Sequence, residues 1–231
     1  MIEELLPPAV VVVEAFAGAD GGADTAEASL FPEEAALVAR AVAKRRREFA
    51  GVRACARSAM EKLGVPPQPV LPGERGAPTW PAGVVGSMTH CAGFCGAALA
   101  RAGEVASLGI DAEPAGPLPD GVLSAVALPA EAERLRRLAA ERPDVHWDRL
   151  LFSAKESVYK AWFPLTRKWL DFSEADIEIV PEAGGRPAGT FRARLLVPGP
   201  VVGGRRVEHF EGRWTAARPG LLATAISVDP A

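Results

Sequence analysis

The 231-residue chain is poor in cysteine, in long apolar runs and in charge of one sign, and each shortage excludes a class of protein. Its three cysteines, Cys55, Cys91 and Cys95, are an odd number in a chain too large to need disulfide staples. That usage fits a reducing compartment, so the cytoplasm is the expected location. Cys91 and Cys95 stand beside His90 without a second cysteine or histidine pair nearby, which argues against a zinc site. The apolar run at residues 9–13 follows Glu3 and Glu4 and is far shorter than a membrane span, so no membrane association is expected. A formal net charge of −3 is not that of a polyanion trap, and nucleic acid is not an expected partner. No long low-complexity tract and no strong internal repeat appears.

What is present is a globular composition, 48% apolar and 24% charged, enough for one domain or two closely packed smaller halves. The 21 prolines and 23 glycines are scattered among apolar runs and read as turns. A strand is expected around residues 8–16, then a glycine-rich loop over 17–28, with Ser29 capping a helix that runs over 33–63. Strands follow at 84–88, 94–100 and 105–110. Helical patterns cover 121–127, 130–141 and 144–165, the last interrupted near Pro164. Strands at 177–180, 191–197, 207–216 and 221–228 complete an α+β order that splits into two similar halves near residues 105–117.

Three clusters carry chemistry. Asp111 and Glu113 alternate along the end of a strand and so share a face. Their pairing reads either as two solvated acids or as a hard-cation site suited to Mg²⁺. Glu156 and Lys160 form an i,i+4 pair on a helix that is largely apolar around them, either a plain helix salt bridge or charges awaiting a ligand. In Ser87-Met88-Thr89-His90 a strand enters a turn whose backbone N–H groups suit phosphate, while a lone histidine is also a common structural residue. Upstream, Arg45 and Arg53 interrupt an apolar helical stripe, as snorkelling side chains or as an anion site.

The ordered set S-M-T-H, G-I-D-A-E and F-S-A-K-E-S-V-Y-K, with K-R-R-R-E-F-A-G-V-R upstream, resembles the Sfp-type 4'-phosphopantetheinyl transferases of the enterobactin-synthase-component and actinobacterial branch. W-P-A-G-V-V-G-S-M-T-H-C and K-A-W-F-P-L-T-R-K-W-L extend the likeness over residues 44–170. The resemblance implies a monomer of two pseudo-twofold-related α/β halves, 1–105 holding the nucleotide end of coenzyme A and 106–231 the metal and the catalytic helix. The active site then lies in the cleft between them. It implies Asp111, Glu113 and Glu156 as ligands of Mg²⁺, with Mn²⁺ as a substitute, and Glu156 as general base. Lys155 and Lys160 would contact phosphate, and His90 would bind a phosphate of coenzyme A. Arg45, Arg53 and Arg75 would hold the 3'-phosphate and adenine end, flanked by Ser87 and Thr89. Pro72 departs from the basic residue often found there in close relatives, and Arg75 would replace its contact. Trp169, Leu170 and Trp162 would line a channel for the pantetheine arm or serve as core. The implied partners are apo acyl and peptidyl carrier proteins, met by Arg167 and Lys168. A noncatalytic coenzyme A-binding module and a metal-dependent nucleotide-sugar transferase are the alternative readings.

Overall fold

The computed structural model describes residues 1–16 and 29–230, so the loop expected over 17–28 lies outside the described residues. Its elements are β1 (Val11–Phe16), α1 (Pro32–Val38), α2 (Ala43–Lys62), β2 (Val84–Cys91), β3 (Phe94–Arg101) and β4 (Ser107–Pro114). Then come α3 (Val122–Val126), α4 (Pro129–Glu141), α5 (Trp147–Thr166), β5 (Ala175–Pro181) and β6 (Ala188–Leu195). A short hairpin of β7 (Val201–Val202) and β8 (Arg205–Arg206) precedes β9 (His209–Thr215) and β10 (Leu221–Val228).

Two antiparallel sheets result, with strand orders β1-β3-β2 and β4-β10-β9-β6-β5. In the first unit a strand, a long helix and two strands assemble as β1-β3-β2. The second unit repeats this, β4, α5, β9 and β10 assembling as β4-β10-β9, with β5 to β8 inserted after the helix. Each long helix covers its own sheet. Cys55, Ala56, Ala59 and Met60 of α2 pack on Ala97 and Leu99, while Leu150, Leu151, Ala154 and Val158 of α5 pack with Phe191, Trp214 and Leu222. Trp147 meets Trp214 edge-on at 5.4 Å, a geometry the ring quadrupoles favour. A third cluster, including Phe94 and Ala98 on one side and Ile110, Ala112 and Ala223 on the other, joins the two sheets.

Three expectations are corrected. The single helix over 33–63 is two helices, parted at Val42, whose φ of −64° and ψ of 152° are extended. Ser29 does not cap the first of them. Glu34 reaches back to accept the Phe31 N–H at 3.1 Å, and the Ser29 hydroxyl accepts from Arg57 at 2.9 Å instead. Pro164 does not interrupt α5: the helix runs on through it to Thr166 and closes at Arg167, whose N–H donates to the Phe163 carbonyl at 2.8 Å.

Candidate active site

Strand β4 offers alternate residues Ser107, Gly109, Asp111 and Glu113 to helix α5. The Ser107 hydroxyl donates to the Ala161 carbonyl at 2.8 Å. A Cβ on Gly109 would stand 2.0 Å from the Ser157 carbonyl oxygen, so only glycine lets the helix backbone settle directly on the strand. That close approach brings Lys160 Nζ to 2.7 Å from Asp111 Oδ1 and 3.0 Å from the Ile110 carbonyl. At the other end of the face, Arg149 donates to Glu113 Oε2 at 2.9 Å, while the carbonyls of Gly116 and Pro117 fix the same guanidinium.

Beside β4 runs β2, outside its hydrogen-bonded sheet. The Ser87 hydroxyl accepts the Ile110 N–H and the Thr89 hydroxyl accepts the Ala112 N–H, both at 3.1 Å. These hydroxyls therefore seam the two sheets together. Thr89 also donates to Asp111 Oδ1 at 3.3 Å.

A cleft of about 620 Å³ opens over this junction. Glu156, Tyr159 and Lys160 line one wall, and Arg45, Arg53, Arg75 and His90 line the other, with Ser87 and Thr89 between them. Arg45, exposed on the first turn of its helix, donates to His90 Nε2 at 3.0 Å. An arginine can only donate, so the imidazole accepts at Nε2 and carries its proton on Nδ1, towards Glu48 at 4.0 Å. Burial, with the Arg45 charge beside it, lowers the His90 pKa. Burial raises Glu156; Lys160 opposes the rise, while Asp111 and Glu113 add to it. Burial and the Asp111 charge likewise raise Glu113, against the pull of Arg149.

The residues named from the sequence fall into four groups. Glu156, Lys160, Arg45, Arg75 and His90 meet at the cleft, with Asp111 behind Lys160. Arg53 reaches the cleft but is mostly committed elsewhere: it donates to the Val70 carbonyl at 3.1 Å, stacks on Phe49 and lies 3.7 Å from Glu34. Burial lowers its pKa to about 10. Lys155 points the other way. Its ammonium donates to the carbonyls of Phe172 and Ala175 at 2.6 Å and pairs with buried Glu131 at 2.9 Å, so it does not join the residues that meet at the cleft. Trp162 is core, donating to the Lys168 carbonyl at 2.9 Å, whereas Trp169 and Leu170 line a second cavity of about 180 Å³ that shares Glu156 and Tyr159 with the cleft.

The three carboxylates do not converge into a ligand set as they stand, and no group of three metal-binding side chains does so among the described residues. Their chemistry nevertheless fits a hard cation. Asp111 Oδ2 is buried without a hydrogen-bond partner, and the donors are all oxygen. Glu113 would first have to part from Arg149.

Arg149, beside the site, escaped sequence reasoning, whereas Arg75 was named from it. Arg149 carried no local signal. Arg75 and Arg167 are the non-glycine residues with left-handed φ among those described, 53° and 57°, and both line the cleft. Such strain at two cleft arginines is costly and is concentrated where ligands bind. Each guanidinium also lies over an aromatic ring, Trp169 and Phe163 respectively.

Arginines and a histidine facing Glu156 and Lys160 across one cleft suit an enzyme that holds a polyanion and transfers a phosphoryl-bearing group. Comparison with known proteins narrows the class. Residues 33–100 match the 4'-phosphopantetheinyl transferase N-terminal domain, and residues 107–198 match the 4'-phosphopantetheinyl transferase superfamily. The chain is 66% identical to the 4'-phosphopantetheinyl transferase Svp of Streptomyces mobaraensis, over 99% of its own length and 89% of the relative's. It is 48% identical to the 4'-phosphopantetheinyl transferase PptT of Mycobacterium tuberculosis, over 98% and 97%. With Npt of Nocardia iowensis, another 4'-phosphopantetheinyl transferase, identity is 47% over 98% and 99%. The chain belongs to the 4'-phosphopantetheinyl transferase family and is an enzyme of that class. The two alternative readings are not favoured.

Proposed function

We propose that the cleft performs phosphopantetheinyl transfer with its two walls in unequal roles. The reaction moves the 4'-phosphopantetheine arm of coenzyme A onto a serine hydroxyl of an apo acyl or peptidyl carrier protein. Residues 1–105 hold the nucleotide end, Arg45, Arg75 and His90 engaging its phosphates and Arg53 adding positive charge behind them. Residues 106–231 supply the chemistry. The serine oxygen attacks the phosphorus that bears the arm, the bond from that phosphorus to the bridging pyrophosphate oxygen breaks, and adenosine 3',5'-bisphosphate leaves.

Glu156 takes the proton of the serine hydroxyl. Burial raises its pKa in the metal-free protein, towards the range of a general base. Lys160 stabilises charge on the transferring phosphoryl oxygens, and Asp111 holds that ammonium in place. Asp111 and Glu156, joined by Glu113, are the side chains suited to Mg²⁺ or Mn²⁺, which when bound supplies neutralisation of the pyrophosphate charge. Trp169 and Leu170 in the smaller cavity suit the pantetheine arm.

The enzyme works as a cytoplasmic monomer in this reading. Supporting that compartment, all three thiols are free and held protonated, Cys55 and Cys91 pushed up to about 12 and Cys95 to about 11, chiefly by burial. Among the described residues no helix is long and apolar enough to cross a membrane.

The observation that carries the proposal is the convergence of Glu156 and Lys160, from one turn of α5, on a cleft whose opposite wall presents Arg45 and His90. The test is mass spectrometry of several apo carriers incubated with the protein, coenzyme A and Mg²⁺. A carrier that gains the mass of one phosphopantetheine supports it, and no gain on any carrier overturns it.

A further inference from the structure

Helix α5 carries two fully buried serines one turn apart, Ser153 and Ser157, which flank Glu156 and precede Lys160. Both meet fully buried Thr224 on β10. Ser153 Oγ lies 2.9 Å and Ser157 Oγ 2.6 Å from Thr224 Oγ1, and Thr224 Oγ1 donates to the Ser153 carbonyl at 2.9 Å. A threonine hydroxyl has one proton and two lone pairs, so when it donates to the helix carbonyl it can accept from both serines; the Ser157 hydroxyl also reaches the Thr224 carbonyl at 3.3 Å. Its capacity is then complete.

The position of this knot gives it meaning. In the β4–β10 ladder Thr224 stands directly opposite Asp111, the acid that holds Lys160. Directly paired residues project from the same face of a sheet, so the knot and the Asp111–Lys160 pair lie side by side beneath α5. Apolar contact resists separation of a helix from a sheet, but it is non-directional and leaves sliding and rolling weakly opposed. Three buried hydroxyls are a costly way to fill a core, and their hydrogen bonds are directional. They fix the register and roll of the helix at the turn that carries the reacting groups.

We propose that Thr224, acting through Ser153 and Ser157, is a positioning residue for the transfer step, setting where Glu156 and Lys160 stand over Asp111. The inference rests on the proposed roles of those two residues. It predicts that loss of the knot slows the reaction at the phosphorus while the nucleotide end, held by the opposite wall, binds as before.

Steady-state transfer to an apo carrier is measured for the wild-type chain and for Thr224→Val, Thr224→Ser and Ser157→Ala, with kcat expressed per coenzyme A-binding site and folding checked by thermal melt. Thr224→Val is expected to lose at least about tenfold in kcat, with the KM for coenzyme A within about twofold of wild type. Thr224→Ser, which keeps the hydroxyl, restores most of the rate. A folded Thr224→Val protein with unchanged kcat, or a Thr224→Ser protein no faster than it, overturns the proposal. Should Thr224→Val fail to melt cooperatively, Ser157→Ala breaks the 2.6 Å bond and is judged by the same kcat and KM criteria. Wild-type protein that transfers nothing overturns the functional reading instead, so the two failures are distinguishable.

Discussion

Helix α2 rests on the first sheet through small apolar and sulfur-bearing side chains, with Ala56 and Ala59 fully buried and the Cys55 thiol 3.8 Å from the Cys95 carbonyl. Helix α5 meets β4 and β10 through a glycine, Ser107 and the Thr224 knot. The same arrangement of strand, long helix and two strands is thus held by forgiving contacts in one copy and by directional ones in the other. The difference matches what each helix carries. In the proposed reaction Arg45 needs only to present a long, adaptable charge to a phosphate, whereas Glu156 and Lys160 must meet one phosphorus, and reactivity falls steeply with misplacement of the reacting groups.

The comparison breaks hardest at the acids and bases of the second copy. Glu156→Gln is expected to cut transfer by at least about a hundredfold without altering the melting temperature by more than a few degrees, measured by carrier mass gain beside a thermal melt. An activity loss confined to KM would contradict the role assigned to α5. Next in size is a matched glycine pair. Gly109→Ala drives a Cβ to 2.0 Å from the Ser157 carbonyl and should cost about 1–3 kcal/mol. Gly51→Ala in α2 meets only the Cys95 sulfur at 3.0 Å and gains roughly 0.5–1 kcal/mol of helix propensity, so its net effect should lie near zero. Urea melts of the two variants decide whether the two interfaces differ in tolerance.

If Arg45 holds coenzyme A as proposed, Arg45→Ala should raise the KM for coenzyme A about tenfold and leave kcat nearly unchanged, the pattern of a contact shared by substrate and transition state. The smallest expected effect is on pH-dependent stability. Burial would raise the Asp176 carboxyl, but its ion pairs with Arg134 and Arg194 outweigh that and hold it below the usual range. A lowered folded pKa stabilises above the unfolded value of about 4, and that stabilisation is lost as pH falls through the folded one. Asp176→Asn should therefore melt below wild type at pH 7, by an amount equivalent to about 0.2–1 kcal/mol, and the gap should close under acid conditions.

Most strands were legible because alternation or unbroken apolar runs mark them, and β2, β3, β4 and α5 fall within a few residues of their expected bounds. The break between α1 and α2 was not legible, since residues 39–42 contain neither proline nor glycine. It is enforced from a distance: buried Glu34 accepts from Arg57 at 2.9 Å and from the Val70 N–H at 2.9 Å, tying α1 to both α2 and the segment that follows it. The same carboxylate draws Arg53 inward, which is why a residue read as a nucleotide ligand is largely buried. Asp111, Glu156 and Lys160, named by motif and spacing, do lie together at the cleft floor and wall. Lys155 was misread because sequence adjacency to Glu156 says nothing about direction, and about 100° of rotation per helical residue turns it to Glu131. Thr224 was invisible, since its significance lies in a cross-strand register that local pattern does not encode.

The Ser87 and Thr89 seam has a consequence for how such a molecule changes over generations. Two strands joined by a backbone ladder keep their bonds whatever side chains they bear, so variation along them is largely silent at the joint. Here the Ile110 and Ala112 amides are answered by side chains, and a single replacement of either hydroxyl removes a bond across the boundary between the halves. The spacing of the two walls of the cleft is thereby exposed to selection one residue at a time.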